Sequence, residues 1–323
     1  MDISYLLWLQ GIREALPPVV EDFFVLVSEI ADSKVLVVIP CLLLWCLDKR
    51  AGRLVLFSFS LGTMLNQFIK NTACVYRPWI RSSELRPVQG ALAGATGYSF
   101  PSGHTQSSAT LFGTLGWHYR KRWPVLGVLC WAFVLLVAFS RNFLGVHAPQ
   151  DVVVALLESV LVIWISERLL AWVDKDDARN VIVLVGALVV GLLFLLYVAL
   201  KPYPVHYDVA GALLVDPLEM QVDCFKSTGV FLGALVGWFL EERFVAFEVD
   251  PKALGWRRML VRFAIGMAVM AVFHLIPNVL PVMGVDERLY ELAKNSLTFV
   301  GGIFVGPLLF TKVERQMGAS KEG

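Results

Sequence analysis

The sequence predicts an all-α protein, a multi-pass transmembrane helical bundle of about nine spans. Three observations predict it. Of 323 residues, 57% are hydrophobic and 17% are charged, against about a quarter charged in ordinary soluble domains. Apolar runs recur along the whole length, most of them near the ~20 residues that a helix needs to cross a bilayer. Basic residues fall unevenly between the two sets of connections, as they do in membrane proteins. The net charge of +1 gives no sign of a nucleic-acid partner.

Residues 1–32 read as two short amphipathic helices broken at Pro17-Pro18, lying at the membrane interface with Trp8 as an anchor. The N-terminus lacks the basic region and small-residue cleavage site of a signal peptide. Nine segments follow, roughly 33–47, 51–69, 103–118, 124–140, 150–170, 180–200, 224–240, 259–281 and 294–311. The first is short for a span and is expected to begin earlier, within Phe23 to Ile30. Residues 33–170 form a core that carries the motifs described below, and 171–323 add further spans and a short polar tail after Lys312. Connections are tight at Asp48 to Gly52 and at His118 to Trp123, and long at Lys70 to Phe100 and Lys201 to Asp223.

One set of connections, with the tail residues Lys312, Arg315 and Lys321, holds seventeen basic residues, among them Lys49, Arg53, Arg120, Lys121 and Arg122. The other face holds eight, setting aside Lys70, Arg77 and Arg141. The richer side is expected to be cytoplasmic, with the N-terminus outside and the C-terminus inside. The second segment then ends at Lys70, the third begins near His104, the fourth ends at Ser140 and the fifth begins near Asp151, all on the outer face.

Three polar clusters occupy those ends: Lys70 to Pro78, Pro101-Ser102-Gly103-His104, and Ser140 to Asp151. His147 and Asp151 are four apart, so on a helix opening at Pro149 they can share a face. The carboxylate would then accept the Nδ1 proton and leave Nε2 with its lone pair outward. Lys70, Arg77 and Arg141 supply three cations suited to one phosphate dianion. Ser102 and the backbone around Gly103 add donors at a helix N-terminus, and Gly103 permits close approach. Taken singly, each cluster has an ordinary reading. The cations can snorkel to headgroups, Ser102 can be a helix cap, and His147 with Asp151 can be a structural pair or half a metal site. Three fixed cations argue against a divalent ion there, so no metal and no cofactor are expected.

Together the clusters follow K-x6-R-P, P-S-G-H and S-R-x5-H-x3-D, in that order, and so resemble the type-2 phosphatidic acid phosphatase superfamily of membrane lipid phosphatases. The resemblance covers about 33–170, and the layout is similar to glucose-6-phosphatase and sphingosine-1-phosphate phosphatase. It implies that His147 attacks phosphorus and becomes phosphohistidine, that Asp151 fixes its tautomer, and that His104 is the acid and then the base. Lys70, Arg77, Ser102, Gly103 and Arg141 would bind the phosphate. The implied activity is hydrolysis of a phosphomonoester or pyrophosphate of a lipid at the extracytoplasmic face of a bacterial cytoplasmic membrane. Its partners would be phosphorylated and bulk lipids. A phosphotransferase and a non-catalytic lipid transporter or scaffold are the alternatives.

Other polar residues read more plainly. Glu158, within the fifth segment, is expected to bond inside the bundle, to Asn66 or Gln67. His274 reads as a satisfied core histidine, His118 as a surface residue, and His206 as either a loop residue or a substrate contact. The loop from Asn71 to Phe100 is expected to cover the site, with Trp79 and Arg81 at the interface. Cys74 and Cys224 could both face outward, but spacing alone does not pair them.

Overall fold

The computed structural model describes residues 2–176 and 178–319; Lys321, counted above among the basic residues, lies outside them. Helix makes up 79% of the chain, and among the described residues the only extended pairing is an isolated antiparallel bridge between Tyr207 and Leu213. The chain forms two compact units, each discontinuous in sequence. One takes in the N-terminal residues to Leu36, then Leu61–Ile165 and Val198–Gln221; the other takes in Val37–Ser60, Ser166–Tyr197 and the chain from Val222 onward.

The N-terminal pieces are helices α1 (Asp2–Ala15) and α2 (Pro18–Asp32). The break falls at the prolines because Pro18 lacks an N–H, which costs nothing at the first position of a helix but would interrupt a helix continuing through it. Both helices also pack into the first unit. Leu6 of α1 meets Leu85 and Ala148, and Val27 and Ala31 of α2 meet Val137.

The first expected span, 33–47, is not one uniform helix. It runs as a 3-10 turn at Lys34–Val37, α3 (Val38–Leu42) and a π turn at Leu43–Leu47. Pro40 cannot donate to the helical ladder there. Next come α4 (Lys49–Ala73), the short α5 (Pro78–Arg81), and α6 (Gly103–Ser108), joined through a π turn at Ala109–Gly113 to α7 (Thr114–Tyr119). Helices α8 (Pro124–Phe143), α9 (Pro149–Val173), α10 (Ala178–Leu200) and α11 (Pro217–Phe244) follow. The chain closes with α12 (Pro251–Leu275), α13 (Val279–Val282), α14 (Glu287–Val300) and α15 (Gly306–Ala319).

Among the described residues, five stretches are long and apolar enough to cross a membrane by length and composition: α8, α10, α11, Pro251–Val282 and Glu287–Gln316. The sequence suggested about nine. The difference lies in the first segment, which is short, and in the second, third and fifth, where polar residues displace apolar ones. Helices α4 and α9 have 25 residues each, roughly 37 Å of helix. Yet α4 carries Arg53, Asn66, Lys70 and Asn71, and α9 carries Asp151, Glu158 and Glu167.

In the second unit, Trp45 is buried and donates from Nε1 to the Gly302 carbonyl at 3.1 Å. A side chain at Gly266 would run into its ring. Gly229, Gly233 and Gly237, one turn apart on α11, face the backbone of α14, and a Cβ at any of them would meet it at 3.2 Å or less. That spacing is a small-residue seam for close helix approach, and it is legible in the sequence once looked for.

Candidate active site

Every candidate residue lies in the first unit. The chain between α8 and α9 turns within a few residues. Gly145 has φ +74°, a backbone conformation that a side chain disfavours. The Val146 and His147 amides then both donate to the Arg141 carbonyl at 3.2 Å. Asn142 Nδ2 donates to the His147 carbonyl at 2.9 Å, so the His147 backbone is held on both sides. Its side chain is 1% exposed.

Pro149 opens α9 and puts Asp151 in its first turn, where Asp151 Oδ2 lies 3.3 Å from His147 Nδ1 and accepts the Ala148 amide at 2.9 Å. On the other side of the ring, Arg77 Nη1 lies 2.8 Å from His147 Nε2. A guanidinium only donates, so Nε2 must be the acceptor and the ring proton must sit on Nδ1, facing Asp151. The tautomer expected from one carboxylate is fixed from both sides. Burial, then the charges of Arg77, Arg141 and Lys70, hold the His147 pKa well below the usual imidazole range.

Arg77 is itself immobilised by carbonyls. Nη1 donates to Val146 at 3.1 Å, Nε to Gly97 at 3.1 Å and Nη2 to Thr96 at 2.6 Å. Burial, then the Arg141 charge, lowers its pKa to about 9, with Asp151 opposing, so it remains a cation at neutral pH. Lys70, in the last turn of α4, donates to the Tyr98 carbonyl at 3.2 Å. Arg141 is buried and donates to Ser28 on α2. His104 stands in the first turn of α6, within electrostatic reach of Arg141, Arg77 and Lys70, and its charge in turn acts on His147.

Ser102 is the helix cap of the ordinary reading. Its Oγ accepts from the Thr105 amide at 3.4 Å and from Thr105 Oγ1 at 3.1 Å. Its own amide donates to the Asp151 carbonyl at 3.0 Å, so that N–H is engaged within the protein, which ties the second cluster to the third. Beside Gly103 the space that a Cβ would fill is open.

Three residues that the sequence did not single out join the assembly. Ser99 Oγ donates to Asp151 Oδ2 at 2.5 Å and lies 3.4 Å from His147 Nδ1. Asn142 holds the His147 carbonyl, as above. Arg13 of α1 donates to the Phe143 carbonyl at 2.8 Å and to the Arg86 carbonyl at 2.5 Å. Arg13 alone left a trace in the sequence, as a cation one turn beyond Leu9 and two beyond Leu6, both of which are buried with it.

The loop expected as a cover is partly ordered by α5 and a 3-10 turn at Gln89–Ala91. Its last part is built into the site, because the Thr96, Gly97 and Tyr98 carbonyls hold the cations. Gly97 has φ +61°, and Met220 occupies the place of its missing side chain. The Trp79 ring centroid is 5.8 Å from the Arg77 guanidinium carbon, and Arg81 pairs with Asp2 at 2.7 Å.

Glu158 bonds to Asn66, at 3.4 Å, as expected. His206 Nδ1 pairs with the Tyr76 hydroxyl at 2.7 Å. His118 is half-buried and its ring packs edge-on against Tyr119. His274 has a partner in Thr298 at 3.2 Å, but it is exposed on its helix rather than part of the core. Cys74 and Cys224 are free thiols, and Cys224 is buried rather than facing outward.

Residues 51–175 match the PAP2 superfamily, and residues 225–318 match the transmembrane extension of PAP2 superfamily phosphatases. All eleven residues of the three signatures fall within the first match. The chain is 30% identical over 108 residues to phosphatidylglycerophosphatase B of Bacillus subtilis, covering 31% of this chain and 49% of that protein. It is 30% identical over 125 residues to undecaprenyl-diphosphatase of Sulfolobus acidocaldarius, covering 39% and 56%. It is 28% identical over 138 residues to sphingosine-1-phosphate phosphatase 1 of Rattus norvegicus, covering 41% and 31%. The chain thus spans between about a third and just over half the length of these relatives. No solved structure matches it.

Proposed function

The chain carries a PAP2 superfamily domain and that superfamily's transmembrane extension, and on that premise we propose that it is a metal-independent membrane phosphatase acting on a phosphorylated lipid. The observation that carries the reading is the His147 ring, held at Nδ1 by Asp151 and at Nε2 by Arg77. A ring so held keeps its lone pair facing a cation that can hand over to a phosphate oxygen.

In the proposed reaction, the substrate phosphate draws the Arg77 donors to its own oxygens and frees Nε2. The Nε2 lone pair forms the N–P bond while the P–O bond to the lipid alcohol breaks, and the departing oxygen takes a proton from His104. His104, now neutral, takes a proton from water. The water oxygen bonds phosphorus as the N–P bond breaks, releasing inorganic phosphate. Lys70, Arg77 and Arg141 stabilise the charge on the phosphoryl oxygens throughout, the task that a metal ion performs in other phosphoryl-transfer sites.

The site is read as lying on the extracytoplasmic side, on the strength of the basic residues gathered in the opposite connections. The polar helices α4, α6–α7 and α9 are then read as spans that bring the total to about nine. The printed activities of the relatives concern lipid phosphates and diphosphates. The proposed substrates are accordingly a lipid phosphomonoester or diphosphate whose tail stays in the bilayer.

Purified protein assayed on phosphatidylglycerophosphate, phosphatidate, sphingosine-1-phosphate and undecaprenyl diphosphate should release phosphate from at least one, unaffected by EDTA. His147→Ala should abolish that release while the protein still folds, as a cooperative thermal transition would show. Release that persists in His147→Ala, or that EDTA stops and a divalent ion restores, would overturn the reading.

A further inference from the structure

We infer that Ser99 is a positioning residue for the nucleophile, completing a Ser99–Asp151–His147 relay. The inference rests on the reading of His147 as nucleophile. Ser99 Oγ lies 2.5 Å from Asp151 Oδ2 and 3.4 Å from His147 Nδ1, and Asp151 Oδ2 lies 3.3 Å from that same Nδ1. All three residues are essentially buried, each 1% exposed.

The protons can be assigned. Serine has one hydroxyl proton, and an ionised carboxylate only accepts, so that proton goes to Asp151. The Nδ1 proton, placed there because Arg77 donates to Nε2, then points at two acceptors, Asp151 Oδ2 and the lone pairs of Ser99 Oγ. Neither distance is short, so the proton is shared. The carboxylate oxygen receives three donors: Ser99, the Ala148 amide at 2.9 Å and the ring. Two of them belong to fixed neighbours and set the carboxylate orientation before substrate arrives.

When Nε2 bonds phosphorus, the ring becomes cationic while Nδ1 keeps its proton. Ser99 then acts twice. It holds Asp151 facing the ring, and its own oxygen, already polarised by donating to the carboxylate, faces the positive charge that develops at Nδ1. No proton leaves Nδ1 in either step, so the relay orients and stabilises without transferring.

The backbone separates this role from a merely structural one. The Ser99 amide donates to the Val75 carbonyl at 2.7 Å. That bond, with the Thr96 and Gly97 carbonyls on Arg77, anchors the segment whatever the side chain at 99. Removing the hydroxyl therefore leaves the phosphate clamp in place and disturbs only the nucleophile.

The test is steady-state kinetics on the full-length protein in detergent, with thermal midpoints measured alongside. Ser99→Ala should lower kcat by about tenfold to a hundredfold, the range for one hydrogen bond to a charged group, with KM within about twofold. Ser99→Thr, which keeps the hydroxyl, should recover most of that loss. Rapid-quench trapping should locate the defect in formation of the acid-labile phosphoenzyme. A kcat for Ser99→Ala within about twofold of wild type overturns the inference, as does a loss that appears as raised KM and is equally severe in Ser99→Thr. If His147→Ala stays active, the nucleophile reading itself has failed, and the inference with it. If His147→Ala is inactive while Ser99→Ala matches wild type, only the role of Ser99 has failed.

Discussion

At the scale of single residues, the site is a set of charges held in place by backbone carbonyls. Arg77 gives three of its bonds to the carbonyls of Thr96, Gly97 and Val146, and Lys70 gives one to Tyr98. These bonds, with that of Arg141 to Ser28, keep three like charges close together, which under the proposed function lowers the reorganisation needed when a phosphate binds. The same crowding sets a pH dependence. In the unfolded chain the His147 imidazole binds a proton near its ordinary value of about 6.5; in the fold, burial and then Arg77, Arg141 and Lys70 keep it neutral well below that. Below about pH 6.5 the unfolded state therefore binds more protons, and this contribution to stability is lost as the pH falls. Thermal midpoints measured from pH 7.5 to 5 should drop less steeply for His147→Gln than for wild type. Parallel curves would mean that His147 is not the group responsible.

At the scale of elements, the N-terminal helices contribute more than interfacial anchoring. Helix α2 supplies Ser28 to Arg141, and α1 supplies Arg13 to the Phe143 carbonyl, two residues after Arg141 in the third signature. Arg13 thus fixes the end of α8, from which the turn to His147 starts. Arg13→Met keeps the length and the apolar stem but loses both carbonyl bonds, each on the order of 1.5–3 kcal/mol for a charged donor. The variant should melt several degrees lower and turn over more slowly. An unchanged midpoint and rate would show that the α8 end is held without it. The Gly229, Gly233 and Gly237 seam has the corresponding role in the second unit, setting how closely α11 approaches α14.

At the scale of the whole molecule, the apolar helices and the transmembrane extension make this a multi-pass membrane protein. Helix α10 fits that environment, with large side chains such as Leu192 and Leu200 about two-thirds or more exposed. The proposed orientation can be tested at exposed positions in a Cys74→Ser background. Ser83 lies in the loop between the first two signatures, and Lys121 lies in the connection from α7 to α8. In intact cells a membrane-impermeant maleimide should label Ser83→Cys and not Lys121→Cys. The reverse pattern would put the site on the cytoplasmic side.

The sequence by itself determined the helical class, the break at Pro17-Pro18, the bonding of Glu158 inside the bundle and the eleven residues of the three signatures, because composition, proline chemistry and residue spacing are local properties. Its count of about nine spans exceeds the five evident by length and composition, because the helices that position Asn66, Lys70 or Asp151 are too polar for hydropathy alone to identify. It placed His274 in a core that it does not enter, since a histidine within an apolar run carries no sign of which face it takes. Only the tertiary structure decided that Arg77 holds His147 Nε2 from seventy residues away, that the Tyr98 and Gly97 carbonyls hold the cations, and that Ser99, Asn142 and Arg13 belong to the assembly. A lone serine in a loop looks like any other until the chain folds back. What distinguishes Ser99 is the distance to a carboxylate 52 residues further along the chain, and no local pattern encodes that distance.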